Sequence, residues 1–375
     1  LRAEDTLARL GGDEFVVLAP DVGGTRDEAS HHGQRLAEKL HALCADPFDV
    51  GGRRLHTAAS VGLVVIEPEV ELEELLRRAD AAMYRAKAAG KGRTAFYDES
   101  MDQAARDYAH MLERLRIAVA EGGFELCFQP IVRLADGRVT GAEALLRWHD
   151  AELGRVPPDR FIPIAEESAL IVAIGRWVLE AVCRQWAEWR DRGMMPGFDY
   201  LSVNVSPREL QDPGYPERLQ SLLRRHRVEP SRLRLEVTES VLAEDIGTVI
   251  EALQRIDALG VQCLLDDFGT GDSSLSYLKR LPVSTIKVDR EFVRDLQSDP
   301  DDAAMIRAVV DIAEQFGCQV VAEGVETEAQ RAILLGMSPQ MLAQGYLFSA
   351  PLPARDLLGQ VQQRSAEPGS GADTD

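Results

Sequence analysis

The sequence predicts an α/β protein in which a TIM-like (β/α)8 barrel follows a smaller α/β domain. About eight apolar strands alternate with helices over roughly 240 residues, which is the pattern of such a barrel. A separate mixture of strands and helices precedes them, up to residue 98. The length of 375 residues also suits two or three domains, at roughly 150 residues each.

The first domain is predicted from short elements. Phe15–Ala19 is an apolar strand, and Glu28–Leu43 has the apolar spacing of a helix. Thr57–Ile66 predicts a second strand, and Leu72–Ala88 predicts a helix that stops before a glycine. Thr94–Tyr97 predicts the last strand of this domain.

A polar helix over Glu99–Ala120 is predicted to lead into the barrel. The predicted barrel strands are Phe124–Val132, Val139–Trp148, Tyr200–Val205, Leu233–Thr238, Val261–Asp267, Thr285–Asp289, Cys318–Ala322 and Gly345–Phe348. The predicted helices are Pro158–Glu167, Ile171–Arg192, Tyr215–His226, Ala243–Leu259, Leu275–Arg280, Pro300–Phe316 and Glu326–Leu335. We therefore set a first domain at 1–98, a helical linker at 99–113, the barrel at 114–362 and a disordered tail at 363–375.

The composition excludes several classes of protein. Lys and Arg number 42 against 62 Asp and Glu, and the net charge of −20 argues against a binder of DNA or RNA. No apolar run is long enough to span a bilayer, and scattered cysteines suit a reducing compartment, so we expect a cytoplasmic chain. The first residue is Leu1 rather than Met, so we expect a longer protein with any sensor or membrane anchor upstream.

Polar residues end many of the predicted barrel strands, where the chemistry of such barrels takes place. One acid after a strand is usually a helix cap, and Asp289 is interpreted in that way. Six or more polar groups at one rim are different, because crowded carboxylates repel one another and need cations. The residues concerned are Glu143, Asn204, Glu236, Glu239, Asp266, Asp267, Lys287, Glu323 and Gln344.

The types of residue at this rim favour particular metals. Oxygen ligands without His or Cys suit Mg²⁺ or Mn²⁺. The adjacent Asp266 and Asp267 can bridge two ions, and two neighbouring metals suit phosphodiester hydrolysis. The segment DDFGTGDSS (266–274) is either an ordinary loop or a mobile active-site loop, and its position after two aspartates favours the second interpretation.

Over about Leu115 to Leu358, the sequence resembles the EAL domains, a family of cyclic-di-GMP phosphodiesterases. The motifs that carry the resemblance are FQPIV, GAEALLRW, VNVS, LEVTES, DDFGTG, IKVD, AEGVET and QGYLFS, in the family's order. The resemblance implies a TIM-like barrel with one strand reversed. It also implies metal-dependent hydrolysis of cyclic-di-GMP to linear pGpG, with two Mg²⁺ or Mn²⁺ ions per barrel.

The resemblance also implies roles for individual residues. The ligands of the first metal are Glu143, Asn204, Glu236 and Asp266, and those of the second are Asp266, Asp267 and Glu323. The catalytic residues are Glu143, Asp266 and Lys287, and the substrate contacts are Arg147, Gln129 and Gln344. Glu239 anchors the DDFGTG loop, through which members of the family dimerise, so we expect a homodimer.

Three features bear on these roles. Beside two divalent cations the pKa of Lys287 would be lowered, so that it relays a proton; alternatively, it only neutralises a substrate phosphate. Asp272 stands where an aromatic residue is common in the family, a difference that would alter the packing of the loop or the dimer contact. The segment Gly336–Gln344 and Ala350 also depart from the family's pattern, so the position of Gln344 in the site is a point that the structure must test.

The first domain resembles the second half of a GGDEF domain, the diguanylate cyclase fold. Its motif is formed by Gly11, Gly12, Asp13, Glu14 and Phe15, which the resemblance places in a β-hairpin. Arg2 and Asp5 match the family's R-x-x-D inhibitory site for cyclic-di-GMP. The resemblance implies GTP or cyclic-di-GMP as ligands, but the family's first half would precede this point.

Three functions follow from these resemblances. A phosphodiesterase is favoured, because the motif glutamate, the metal ligands and Lys287 are all present. The first alternative is a catalytically silent receptor for cyclic-di-GMP. The second is a bifunctional cyclase and phosphodiesterase in a longer protein.

Overall fold

The computed structural model describes residues 2–366 except 3, 21, 24, 46–47, 51–52, 56, 67–69, 91, 99, 194–197, 240–245 and 270–279. The chain divides into two compact units, Leu1–Met111 and Leu112–Asp375. Over the described ranges, no helix has the length and apolar character needed to cross a membrane.

The first unit is a mixed α/β unit, as predicted. Its described strands form three pairs: residues 6–11 run antiparallel to 14–18, 48–50 run antiparallel to 53–55, and 61–63 run parallel to 94–96. The strands are β1 (Thr6–Gly11), β2 (Glu14–Leu18), β3 (Phe48–Val50), β4 (Arg53–Leu55), β5 (Val61–Leu63) and β6 (Thr94–Phe96). The helices are α1 (Arg26–Ala45) and α2 (Leu72–Ala88), and α3 (Ser100–Glu121) follows them. The strand predicted at Thr57–Ile66 is shorter than expected, because only Val61–Leu63 pairs with β6.

Eight strands of the second unit close into a barrel. They are β7 (Phe124–Arg133), β8 (Val139–Asp150), β10 (Tyr200–Asn204), β11 (Leu233–Thr238), β12 (Gln262–Phe268), β13 (Val283–Val288), β14 (Gln319–Ala322) and β15 (Leu342–Ala343). Strand β7 runs antiparallel to both of its barrel neighbours, β8 and β15, whereas the other neighbouring pairs are parallel. The expected TIM-like barrel with one reversed strand is therefore confirmed.

Two short strands, nine α-helices and one 3-10 helix (Pro230–Arg232) complete the described part of this unit. The strands β9 (Gly154–Val156) and β16 (Leu352–Pro353) pair with β8 and β7. The helices are α4 (Pro158–Glu167), α5 (Ile171–Asp191), α6 (Pro207–Leu210), α7 (Tyr215–His226), α8 (Ile246–Ala258), α9 (Arg290–Arg294), α10 (Pro300–Phe316), α11 (Glu328–Met337) and α12 (Ala354–Ala366). Helix α12 includes residues 363–366, which the sequence assigned to a disordered tail.

Local sequence explains how the strands present their side chains. Along β11, Leu233, Leu235 and Val237 are buried on the outer face of the barrel wall, and Glu236 points to the interior from between them. The turn after β10 is fixed by a capping box, in which the Ser206 hydroxyl accepts from the Glu209 backbone N–H. Alternation along the strands and capped turns therefore place the polar residues at one end of the barrel.

The strand predicted at Gly345–Phe348 is wrong, because this segment is a turn. The backbone N–H of Leu347 donates to the Val325 carbonyl, and that of Phe348 donates to the Gly345 carbonyl. A Cβ at Gly345 would lie 2.2 Å from the Val325 carbonyl oxygen, so only glycine permits this close approach. The eighth barrel strand is instead Leu342–Ala343, and Gln344 follows directly at its end. The helix predicted at Leu275–Arg280 falls almost wholly outside the described residues.

Candidate active site

Lys287 lies at the centre of the polar rim of the barrel. Its side chain is 1% exposed, and its Nζ is surrounded by carboxylate oxygens from four different segments of the chain. These oxygens lie 2.5 Å away on Glu236, 2.5 Å on Glu323, 3.2 Å on Asp266 and 3.4 Å on Glu143. The ammonium group is therefore the internal countercharge of the cluster.

Glu143 is held by donors from both sides of the barrel. Asn204 Nδ2 donates to its Oε1 at 2.7 Å, and Gln344 Nε2 donates to its Oε2 at 2.8 Å. Gln344 also donates to Gln129 Oε1 at 2.9 Å, and Gln129 donates to the Ser349 carbonyl at 3.0 Å. The structure thus brings Gln344 into the site, despite the unusual segment that precedes it.

Asp266, Asp267 and Glu323 form a second group beside Lys287. One carboxylate oxygen from each of the three lies within 4.8 Å of the others, an arrangement that can hold a metal ion. Asp267 has a φ of 54°, which is rare for a residue with a side chain, and its N–H donates to Asp266 Oδ1 at 3.0 Å. This irregularity in β12, which shifts its register with β13, directs the two adjacent aspartates to one group.

Asp289 also belongs to the site, beyond the helix cap that its position predicts. It does cap α9, where its carboxylate accepts from the Glu291 N–H at 2.7 Å. Its carboxyl group also forms a hydrogen bond with that of Asp267. The spacing to Lys287 could have shown that Asp289 points towards the site. Asp289 lies two residues after Lys287, and alternate residues of a strand point to the same face.

Burial and crowding shift the pKa values of these carboxyls. Burial and the Glu143 charge raise the pKa of Glu236 well above its usual range. Burial and the charge of Asp266 raise the pKa of Asp267 to about 6, and burial raises that of Glu323 to about 8. Burial acts against ionisation of Glu143 too, but Lys287 and the amide donors outweigh it and lower its pKa.

The same contacts raise the pKa of Lys287. Burial alone would lower it, but the charges of Glu143, Glu236, Glu323 and Asp266 outweigh burial. The lowered pKa expected from the sequence requires two divalent cations and stays a prediction for the metal-bound protein.

The charge of the cluster fits divalent cations. With the carboxyl groups of Glu143, Glu236, Asp266, Asp267 and Glu323 all deprotonated, these five charges and the one ammonium would sum to −4, so the cluster favours divalent cations, whose binding would lower the raised pKa values of Glu236, Asp267 and Glu323. In addition, Glu236 Oε1 is buried and has no hydrogen-bond partner among the described residues. An acidic oxygen set without His or Cys suits Mg²⁺ or Mn²⁺.

Two other predicted residues, Glu239 and Arg147, make their hydrogen bonds outside this cluster. Glu239 is buried, and its Oε2 accepts from the Gly269 N–H at 3.1 Å, so it contacts the start of the DDFGTG loop. The rest of that loop, including Asp272, falls outside the described residues. Arg147 lies four residues after Glu143 on β8, is half-buried and donates to the Leu146 carbonyl at 2.8 Å.

The predicted residues of the first unit form a hairpin and an adjacent turn. Gly11 ends β1 and Glu14 begins β2, and the turn between them contains Gly12 with a φ of 51°. Asp5 accepts from the Arg2 backbone N–H at 2.6 Å, and the Arg2 guanidinium lies 3.3 Å from His32 Nδ1. The Asp5 backbone N–H also donates to the Arg2 carbonyl at 3.2 Å, so Arg2 and Asp5 contact each other through the backbone of Arg2.

Comparison with known proteins agrees with this geometry. A model of the EAL domain matches residues 112–351, and a model of the diguanylate cyclase GGDEF domain matches residues 1–93. A structure of PaMucR phosphodiesterase in complex with c-di-GMP has 42% sequence identity and a TM-score of 0.63, covering 66% of this chain and 99% of that one.

Curated relatives extend the match along the chain. The bifunctional diguanylate cyclase/cyclic di-GMP phosphodiesterase MucR of Pseudomonas aeruginosa is 41% identical over 96% of this chain and 52% of its own length. The cyclic di-GMP phosphodiesterase PdeR of Escherichia coli is 38% identical over 94% of this chain and 52% of its own length. The chain thus spans about half the length of these relatives. It belongs to the EAL domain family, and a GGDEF domain forms its first part.

Proposed function

We propose that the barrel hydrolyses cyclic-di-GMP to linear pGpG with two divalent cations, Mg²⁺ or Mn²⁺. The observation that carries this proposal is the cluster of five carboxylates around buried Lys287 at one end of the barrel. The names of MucR and PdeR, which the chain resembles along most of its length, support the same substrate and reaction.

The chain's own oxygen atoms would hold the cations in two groups. The first group is Glu143, Asn204, Glu236 and Asp266, and the second is Asp266, Asp267 and Glu323. When bound, such a pair of cations activates a water molecule as nucleophile and offsets the charge that develops on phosphate. Asp289 supports the second group through its contact with Asp267.

The remaining residues bind substrate and move protons. Arg147 binds a substrate phosphate through its guanidinium group, which suits phosphate oxygens. Gln344 holds Glu143 in one orientation and is itself bonded to Gln129, and both glutamines would contact the substrate. Lys287 holds the carboxylates together; with its pKa lowered by bound cations, its Nζ would take a proton from the attacking water and give it to the oxygen that leaves phosphorus.

Outside the barrel, we propose that Arg2 and Asp5 bind cyclic-di-GMP without hydrolysing it. The Arg2 guanidinium can fork onto a guanine edge or a phosphate, and the Asp5 carboxylate can accept from guanine N–H groups. We also propose a homodimer assembled through the barrel, with Glu239 fixing the loop at the contact.

The proposed function is tested by the products that the chain makes. The protein is incubated with cyclic-di-GMP and Mn²⁺, and separately with GTP, and the nucleotides are resolved by chromatography. We expect pGpG from the first mixture and no cyclic-di-GMP from the second. Glu143→Gln should abolish hydrolysis, while Glu188→Gln, at an exposed ion pair with Arg192, should keep it. Binding of cyclic-di-GMP without a product would favour the receptor instead.

A further inference from the structure

Glu209 is a buried acid that lies outside the acidic cluster. Its side chain is 4% exposed, and it stands on α6, five residues after Asn204. Its Oε2 accepts from the Ser206 backbone N–H and from the Ser206 hydroxyl, both at 3.1 Å. The Glu209 backbone N–H donates back to Ser206 Oγ at 3.3 Å. These reciprocal bonds form the capping box that fixes the turn between Asn204 and α6.

The carboxyl group of Glu209 also lies against helix α5. A Cβ at Gly175 would overlap Glu209 Oε1, so this oxygen faces the bare backbone of α5. Helix α6 packs against both α5 and α8. Glu209 therefore caps α6 and, with the same side chain, joins the turn after Asn204 to a long helix of the barrel unit.

In the part of the chain that the structure describes, no cation forms an ion pair with Glu209. Arg218, on α7, lies 2.8 Å from the Asp212 carboxylate, and Arg176, on α5, lies 4.0 Å from the same group. Arg208, on α6 itself, is exposed. A buried carboxylate without a paired cation is costly, and such a group usually keeps its proton instead.

The other titratable groups around α6 bring no paired positive charge to Glu209. Burial raises the pKa of the Tyr215 hydroxyl, on α7, and those of the neighbouring thiols of Cys183 and Cys263, so these three groups are uncharged. Of the charged residues in the described part of α8, the arginine pairs with an acid of α7 and the two acids are exposed: Arg255 with Glu217, and Glu251 and Asp257.

These surroundings favour the neutral form of the carboxyl group. Burial raises the pKa of Glu209 from 4.5 to about 7, although the bonds from Ser206 and the charges of Arg218 and Arg176 act in the opposite direction. Glu209 therefore gains or loses its proton near neutral pH. In its ionised form it places an unpaired charge between α6 and α5.

We propose that Glu209 positions the turn after Asn204 in its protonated form, and that loss of this proton loosens the turn. The protonated carboxyl group accepts from Ser206 and lies, uncharged, against Gly175. The ionised group is drawn towards water, so α6 separates from α5. Asn204, which donates to Glu143, is then held less firmly. The consequence for metal binding rests on the proposed function, whereas the proton-dependent turn does not.

The first test compares the wild type with Glu209→Gln, which keeps an oxygen for the Ser206 bonds but cannot ionise. Unfolding by urea is measured in EDTA at pH 5 and pH 8. Folding raises the pKa of Glu209 from 4.5 to about 7, so the folded state loses stability as the pH rises through this window. The unfolding equilibrium constant of the wild type should therefore rise roughly 50- to 100-fold more than that of the variant. Glu188→Gln, at an exposed ion pair on α5, is the control and should follow the wild type.

Hydrogen exchange reports on the turn itself and needs no variant. The N–H groups of Glu209 and Leu210 donate to the Ser206 carbonyl at 3.1 and 3.4 Å. In the metal-free wild type, their protection, corrected for the intrinsic exchange rate, should fall roughly 50- to 100-fold from pH 5 to pH 8. Glu209→Gln should keep its protection. By calorimetry at pH 8, the variant should bind Mn²⁺ roughly 10-fold more tightly than the wild type, and nearly equally at pH 6.

Two results would overturn the proposal. The first is the same pH dependence of unfolding in the wild type and in Glu209→Gln. The second is protection of the two N–H groups that stays constant in the wild type from pH 5 to pH 8. A chain that binds no Mn²⁺ but shows both pH effects would support the proton-dependent turn and contradict the proposed metal chemistry.

Discussion

Replacing Lys287 with methionine removes the positive charge that holds the acidic cluster together. Its Nζ lies within 3.4 Å of four carboxylates, and the side chain is 1% exposed. Removing one partner from a buried ion pair typically costs about 3–5 kcal/mol, because the remaining charge stays buried. Several carboxylates lose their partner here, but proton uptake offsets part of the loss, since the pKa of Glu323 is already raised to about 8. We therefore expect a loss within that range.

The assay is thermal unfolding of wild type and Lys287→Met in EDTA and then in Mn²⁺. A loss of about 3–5 kcal/mol lowers Tm by roughly 6–20 °C for a domain of this size. Mn²⁺ should restore most of the Tm, because divalent cations supply the missing countercharge. Lys39→Met, at an exposed position of α1, is the control and should leave Tm unchanged.

Turnover separates the two interpretations of Lys287. A proton relay predicts that Lys287→Ala lowers kcat by about two to four orders of magnitude with KM little changed. Neutralisation of phosphate predicts a raised KM with kcat mostly kept.

Equal Tm values for metal-free wild type and Lys287→Met would refute the role of Lys287 as the internal countercharge.

Three further predictions concern residues around the cluster and in the first unit. Glu239→Ala removes the acceptor of the Gly269 N–H, so metal affinity and dimerisation should weaken together in calorimetry and ultracentrifugation; a stable dimer with unchanged metal affinity would contradict this. In a Glu143→Gln background, Arg2→Ala combined with Asp5→Ala should remove one of the two cyclic-di-GMP sites counted by calorimetry, and in the otherwise wild-type chain the same pair should leave hydrolysis intact; a stoichiometry that the pair does not change would exclude the site. The pKa of Asp150 is lowered from 3.8 to about 2. Burial acts against ionisation of Asp150, but the guanidinium of Arg114 on α3, 2.8 Å away, outweighs burial. Its stabilising contribution is therefore complete above pH 3.8 and is lost as the pH falls towards 2. Asp150→Asn should reduce stability at pH 7 but not at pH 2, and an equal loss at both would contradict the ion pair.

The sequence located the polar rim because strand ends are predictable from local patterns. Glu143, Asn204 and Glu236 lie on strands with clear apolar alternation, and the carboxyl ends of parallel strands meet at one edge of the barrel. What local patterns could not supply was which atoms touch. The ion pairs of Lys287 depend on the closure of the barrel, which brings four distant segments together.

The errors have tertiary causes. Gly345–Phe348 has the composition of a strand. However, the backbone N–H groups of Leu347 and Phe348 donate to the carbonyls of Val325 and Gly345, so no strand pairing forms. Asp289 was assigned a single role as a cap, whereas its carboxyl group bonds both the helix and Asp267. The partners that local patterns could not supply are Val325 and Asp267, each 22 residues away in the sequence.

The most direct test of the central claim titrates Mn²⁺ into the EDTA-treated protein in the presence of cyclic-di-GMP and follows the formation of pGpG. The account predicts no product before addition and full hydrolysis once two ions are bound per barrel, because two divalent cations balance the charge of the cluster. Ca²⁺ should bind but inhibit, because its looser coordination positions water poorly. Full turnover in metal-free buffer would contradict the account.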